Sequence, residues 1–328
     1  MVSRLNPPVL SLHRISMIAF CIFGFVFCAQ VRAQQSANRE GASGCIIGPA
    51  CLHINSAGGD FRKSVAGVGQ KRVNQNRNWA QTWLHNVDAA RASQPHFTAP
   101  IVTTHVMLVQ QYRYDMSWQQ DPTGGAVTAN YGAGRGLEII PTTRFEVGVF
   151  PPSYVVHQST KQDGIGDLAW QVKFRAFSAP EGKGDYFVGL FMGGTVPTGS
   201  ANNGAGHVAW APTVAAAKGI GPWDLQTTLG TILPASGTST LGRTVIFNTA
   251  VNYRIKGKIW PMLEQNSTLW HGGLYDGKKE VFLTPGIVLG SFPLAGRMHV
   301  AVGAGVQTAV TNYHQYNHRW IFSIRFPF

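Results

Sequence analysis

The stretch Arg319-Trp-Ile-Phe-Ser-Ile-Arg-Phe-Pro-Phe328 ends the chain and decides its class. Its even positions, Trp320, Phe322, Ile324, Phe326 and Phe328, are all apolar, and its odd positions include Arg319, Ser323 and Arg325. Successive side chains on a strand point to opposite faces. One face is therefore wholly greasy, the other carries two guanidinium groups, and the chain stops on an aromatic residue of the greasy face.

The same alternation recurs upstream. Leu168, Trp170, Val172 and Phe174 share one face, and Asp167, Gln171, Lys173 and Arg175 share the other. Trp223, Leu225, Leu229 and Leu233 oppose Asp224, Gln226 and Thr228. Val245, Phe247, Val251, Tyr253 and Ile255 oppose Asn248, Asn252 and Arg254. Strands of about ten residues, apolar outside and polar inside, mark a transmembrane β-barrel.

Composition agrees. Only 13% of the 328 residues are charged, against about 25% in a typical soluble domain. Gly is abundant, at 38 residues, and aromatics make up 11%. A hydrophobic content of 44% can build a core, which argues against a disordered chain. No apolar run reaches the roughly 20 residues of a spanning helix, which excludes a helical membrane bundle. The expected fold is all-β: a transmembrane antiparallel up-and-down barrel of about 12 strands.

The strands are expected near 101–114, 135–141, 143–151, 166–177, 185–195, 207–217, 222–233, 244–255, 258–270, 279–289, 298–310 and 317–327. Connections after the odd strands are mostly long and rich in Gly, Ser, Asn and Asp. Those after the even strands are mostly short, such as the Lys256-Gly257 pair. Outer-membrane barrels have short periplasmic turns and long outer loops, so both termini are expected in the periplasm.

Three regions divide the chain. Residues 1–33 hold Arg4, Arg14 and Arg32 and no acid, with the apolar block ISMIAFCIFGFVFCA at 15–29 and then Val31-Arg32-Ala33. This is the pattern of a secretory signal peptide. Residues 34–97 are polar and rich in Gly and Asn, and read as a flexible tail rather than a plug. A short helix is expected around Trp79, Trp83, Leu84 and Val87, which form one apolar stripe. Residues 98–328 form the barrel. Cys45 and Cys51 remain after cleavage, in an oxidising compartment, and are expected to form a disulfide. Only His53 lies near them, too few ligands for zinc.

The polar faces supply the candidate lumen: Arg144, Glu146, Asp167, Gln171, Lys173, Arg175, Asp224, Gln226, Asn248, Arg254, Glu264, Arg319 and Arg325. Arg or Lys facing lipid at mid-depth costs roughly 2–4 kcal/mol, so these groups should point inward, paired or wet. Asp167 is expected to pair with Lys173 or Arg175. Lys173 and Arg175 together form the densest positive spot, which predicts a modest anion preference for an open lumen. The reading beside this one is a salt-bridged filling of a narrow barrel.

Other chemistry finds little support. The 11 histidines are scattered; His314 and His318 share a strand face beside Tyr313 and Tyr316, which reads as an aromatic rim rather than a metal site. No Gly-x-Ser-x-Gly elbow and no phosphate-binding Gly-rich loop occurs. Basic residues exceed acidic ones, 27 to 15, but as dispersed pairs such as Arg62-Lys63 and Lys71-Arg72, not as a nucleic-acid stripe. No catalytic, metal or cofactor site is expected.

Gly164-Ile-Gly166-Asp167-Leu168 opens one strand, Val196-Pro-Thr-Gly199 ends the next, Pro261-Met-Leu-Glu264 follows, and the chain closes on the aromatic strand. Over about residues 100–328 this resembles the outer-membrane transporter-like family named after the MetA pathway of phenol degradation. The resemblance implies a barrel of about twelve strands that passes small, often aromatic or apolar, solutes across the outer membrane. Its expected partners are outer-membrane lipid, a small solute, and the barrel-assembly machinery reading the C-terminal strand. A structural or adhesive barrel is the alternative, and a membrane-embedded lipid hydrolase the third reading.

Overall fold

The computed structural model describes residues 78–132, 134–201 and 203–328. The signal segment, most of the N-terminal extension and the Cys45–Cys51 pair lie outside the described residues. Twelve antiparallel strands close into a barrel. In chain order they are β1 (Gln111–Gln120), β3 (Leu137–Thr142), β4 (Phe145–Phe150), β7 (Leu168–Ala179), β8 (Tyr186–Val196), β9 (Ala209–Ile220), β10 (Trp223–Pro234), β11 (Arg243–Tyr253), β12 (Ile259–His271), β13 (Lys279–Ala295), β14 (Met298–Ala309) and β15 (His318–Pro327). The ring closes where β15 pairs with β1, from Gln111 opposite Pro327 to Gln119 opposite Arg319. The short β2 (Val127–Tyr131), β5 (Tyr154–His157) and β6 (Gly164–Ile165) extend the wall beyond β1 at one end.

The two ends differ for local reasons. At the turn end, Lys256 and Gly257 both have positive φ, 49° and 64°. Tight hairpins of the type that follows strand twist need that geometry at both central residues. The connections 197–208, 235–242, 272–278 and 310–317 lie at the loop end. Both the N-terminal helix and the C-terminus lie at the turn end.

The alternation read from sequence sets the two faces. Each barrel strand carries an exposed large apolar side chain, among them Tyr112, Phe177, Leu190, Leu229, Leu263 and Trp320. Arg113, Glu146, Lys173, Asp224, Glu264 and Arg325 on the opposite faces are buried. Outward aromatics meet near both rims: Trp223 and Tyr253 at 4.6 Å, Trp170 and Trp210 at 5.8 Å. An apolar belt flanked by aromatics, around a charged interior, is the surface of a barrel that spans a bilayer.

One strand is corrected. The first barrel strand is Gln111–Gln120, not 101–114. Residues 101–109 are largely apolar without a polar alternate, and Ile101, Val106, Met107 and Leu108 are buried on all sides. A stretch greasy on every face cannot serve as a wall with a wet side. It runs inside the ring instead.

Candidate functional site

The lumen is occupied by the chain's own N-terminal part. Helix α1 (Trp79–Ala92) begins at Asn78, whose side chain accepts the N–H of Gln81 at 2.9 Å. That is ordinary N-capping. Its inner side is seated by Trp83 Nε1, which donates to the carbonyl of Ile140 at 2.8 Å. Val87 and Ala90 join Val106, Met107, Leu108, Ile140, Phe187 and Phe191 in one buried cluster. The residues from Trp79 onward are thus no tail; the apolar stripe of α1 needs a partner, and the barrel interior supplies it.

After α1 the chain continues as an irregular strap over residues 94–110. Strands have neighbours to satisfy their backbone, whereas a strap inside a barrel must find side chains. Each inward-facing polar group named here meets that need. Glu264 on β12 accepts the backbone N–H of Ile101 at 2.6 Å and of Thr103 at 2.7 Å. Arg113 on β1 donates to the carbonyls of Pro100 and Ile101 at 3.0 and 2.6 Å. Arg325 on β15 holds the carbonyls of Ala99 and Pro100. Gln226 on β10 donates to Thr98 at 2.7 Å, and Glu146 on β4 accepts from Val109 at 2.5 Å. These partners come from all round the ring, which fixes the strap within it.

The charges beside the strap are ion-paired or hydrogen-bonded. Lys173 is fully buried, with Nζ 2.7 Å from Glu146 and 3.3 Å from Glu138. Gln111 donates to the second oxygen of Glu138 at 2.6 Å. Asp115 takes Arg113 at 2.7 Å and Arg135 at 3.2 Å. Asp224 accepts from Asn252 at 2.6 Å and Gln226 at 3.0 Å. Toward the loop end, Gln307 accepts from Tyr316 and Arg319 at 2.6 and 2.5 Å and donates to Asn266 at 2.9 Å. Asn266 reaches Thr103 of the strap at 3.2 Å and Asn248 of β11 at 3.1 Å.

Two residues expected in the lumen lie elsewhere, and a third, Asp167, lines only the cavity at its loop end. Arg144 sits exposed in the turn between β3 and β4. Arg254 follows β11 at the turn end, in a two-point ion pair with Glu181. Asp167 meets neither Lys173 nor Arg175. It accepts the backbone N–H of Gly199 at 2.9 Å and of Ala205 at 2.7 Å, tying a loop to the start of β7. A Cβ at Gly204 would fall 2.2 Å from its oxygen, which explains why glycine stands there. Arg175 binds the carbonyls of Ala90 and Thr143, so it anchors the end of α1. Of the Lys173–Arg175 spot, Lys173 is thus compensated by two carboxylates, and Arg175 is turned onto backbone carbonyls. Arg113, Asp115, Arg135, Glu138 and Glu280 were not foreseen. The alternation Gln111, Arg113, Asp115, Ser117 against Tyr112, Tyr114, Met116, Trp118 carried the signal for two of them, but the misplaced first strand hid it.

A cavity of about 450 Å³ opens among the inner faces of β7–β11 at the loop end. Gln171, Gly193, Ala211, His207 and Ile232 are among its lining residues, with Asp167 at its edge. Small residues on β8 and β9 leave this room. His207 Nδ1 and Ser236 Oγ lie 2.8 Å apart nearby. Among the described residues no third group orients that ring, as a hydrolytic triad would require, and no cluster of three or more His, Cys, Asp or Glu side chains could hold a metal.

The fold and its surface define a membrane-spanning β-barrel with a self-filled lumen. The chain belongs to the family described as "Putative MetA-pathway of phenol degradation", whose model matches residues 87–321. No curated protein matches the sequence. Among solved structures, the chain is similar to an outer membrane channel from Pseudomonas putida F1, with 14% identity and a TM-score of 0.47 over 67% of this chain and 96% of that one. It is also similar to the NanC porin, with 9% identity and a TM-score of 0.44 over 66% of this chain and 98% of that one. A third is the translocator domain of autotransporter NalP from Neisseria meningitidis, at 8% identity and a TM-score of 0.36 over 67% and 87%.

Proposed function

We propose that the protein is an outer-membrane channel that admits small, largely uncharged solutes, with the loop end facing outward and the turn end, where α1 is seated, facing the periplasm. The observation that carries this reading is the loop-end cavity, walled mostly by small and apolar residues of the strands and loops. Both acidic and basic side chains line the path below it, in ion pairs or bound to neutral groups, so neither sign of ion is strongly favoured. An aromatic or aliphatic molecule of modest size fits the cavity's volume and chemistry better than a charged one.

The test is uptake of labelled aromatic and aliphatic solutes into liposomes carrying the refolded protein, beside single-channel recording. Uptake of neutral aromatic solutes above that of carboxylated or amine-bearing analogues supports the reading. The occupied lumen favours a second reading, a barrel that carries no solute and serves as a structural or adhesive element. Inserted protein with neither uptake nor current would decide for that one.

A further inference from the structure

We propose that the loop-end rim of β11, β12 and β13 binds the phosphate groups of a membrane lipid. This rests on the membrane reading above. Arg243 opens β11 and lies directly opposite His271, the last residue of β12. Directly opposed side chains on one sheet face stand about 5 Å apart. Lys279 opens β13 opposite Leu269, two residues before His271. It therefore lies diagonal to His271 on the same outer face. All three are exposed. Among the described residues none of the three side chains has an ion pair or hydrogen bond, and the adjacent Lys278 lies over the ring of Tyr313.

Acids are missing from that face. On the barrel strands, Asp115, Glu138, Glu146, Asp224, Glu264 and Glu280 are all buried on the inner side. Glu280, beside Lys279 in sequence, accepts the N–H of Gln315 at 2.5 Å, and Asp276 in the adjoining loop accepts that of Gly272 at 2.6 Å. Among the described residues neither carboxylate forms an ion pair with the three cationic positions. One residue pair below them the outer face becomes apolar: Val245 opposes Leu269, and Val281 follows on β13. The cluster thus sits where acyl chains end and headgroups begin. Fixed on strand ends, its positions suit a ligand whose phosphates are themselves held at that height.

Native mass spectrometry of the detergent-refolded barrel, titrated with bisphosphorylated lipid A or the same lipid dephosphorylated, tests this. The phosphorylated lipid should bind more tightly. At roughly fivefold per cation near a charged lipid surface, R243Q/K279Q should weaken it about thirtyfold, and each single variant about fivefold. K256Q, at the turn end, should change nothing. Inorganic pyrophosphate should compete only weakly, because it lacks the chains that dock on the belt. The heat-dependent gel shift reports whether each variant is folded, and the single variants carry the test if the double one is not. Equal binding of both lipids, equal loss in K256Q, or full competition by pyrophosphate would overturn the proposal while leaving the channel reading intact. Failure of the wild type to insert into liposomes would instead remove the membrane reading itself.

Discussion

Glu264 accepts the backbone N–H of Thr103 at 2.7 Å, although 161 residues separate them. The same carboxylate takes Ile101, so a single side chain of β12 caps the middle of the strap. A buried hydrogen bond to a charged group contributes roughly 1.5–3 kcal/mol. E264Q turns one acceptor into an N–H that faces other N–H groups. It should cost about 2–3 kcal/mol and free residues 98–104. The expected readout is a larger single-channel conductance with new protease cleavage between 94 and 110. Wild-type conductance in E264Q would show that the strap is not the constriction.

Lys173 compensates two carboxylates at once. Removing one partner of a buried ion pair costs about 3–5 kcal/mol, because the other charge stays uncompensated. K173M should lower the temperature at which the barrel loses its folded, gel-shifted form, and K173M/E146Q should recover part of the loss. If the double variant is no better than the single, the triad is not the source of the effect.

Helix α1 is tied to the turn between β13 and β14 by the ion pair of Asp88 with Arg297. The Arg297 hydrogen bond holds the Asp88 carboxyl below its ordinary value of about 3.8. A depressed acid contributes stability that is present above the ordinary value and lost as pH falls through the folded one. Both groups are about half exposed, at 44% and 54%, so the contribution is under about 1 kcal/mol. Urea denaturation should show R297Q slightly less stable than wild type at pH 7, and the gap should shrink as pH falls below about 4. A constant gap would mean that Arg297 acts through packing rather than charge.

Phe328 follows β15, and its backbone is held at both ends: its N–H donates to the carbonyl of Gln110 at 3.1 Å and its main-chain oxygen accepts from Arg91 at 2.7 Å. Deleting Phe328 should reduce the amount of assembled barrel while synthesis stays constant. R91Q should lower stability without that loss of assembly, because the terminal aromatic face remains. Equal assembly with and without Phe328, measured by outer-membrane fractionation, would count against a role for the terminal residue.

The barrel was legible because its wall obeys a period of two, and eleven of the twelve strands fall close to where alternation put them. The strap was not. Residues 98–110 bury apolar groups on all sides and satisfy their backbone through Arg113, on the strand that follows, and through Glu264 and Arg325, each more than a hundred positions away. Nothing local signals such partners. Asp167 misled for a related reason: its parity placed it beside Lys173, but the glycines at 199 and 204 bring backbone amides to it first. Glu264 and Lys173 stood out as buried charges from parity alone; what they hold did not.

The clamp of Arg325 on the carbonyls of Ala99 and Pro100 joins the last strand to a segment that emerges before the first. A ring built strand by strand cannot admit that segment once shut. Residues 94–110 must wait in the interior while the wall grows around them, and β15, arriving last, meets both β1 and the strap together. Closure of the barrel and filling of its bore are then a single event, so a chain whose early part is missing or displaced would close its seam with Arg113 and Arg325 side by side on adjoining strands and no strap carbonyls to bind.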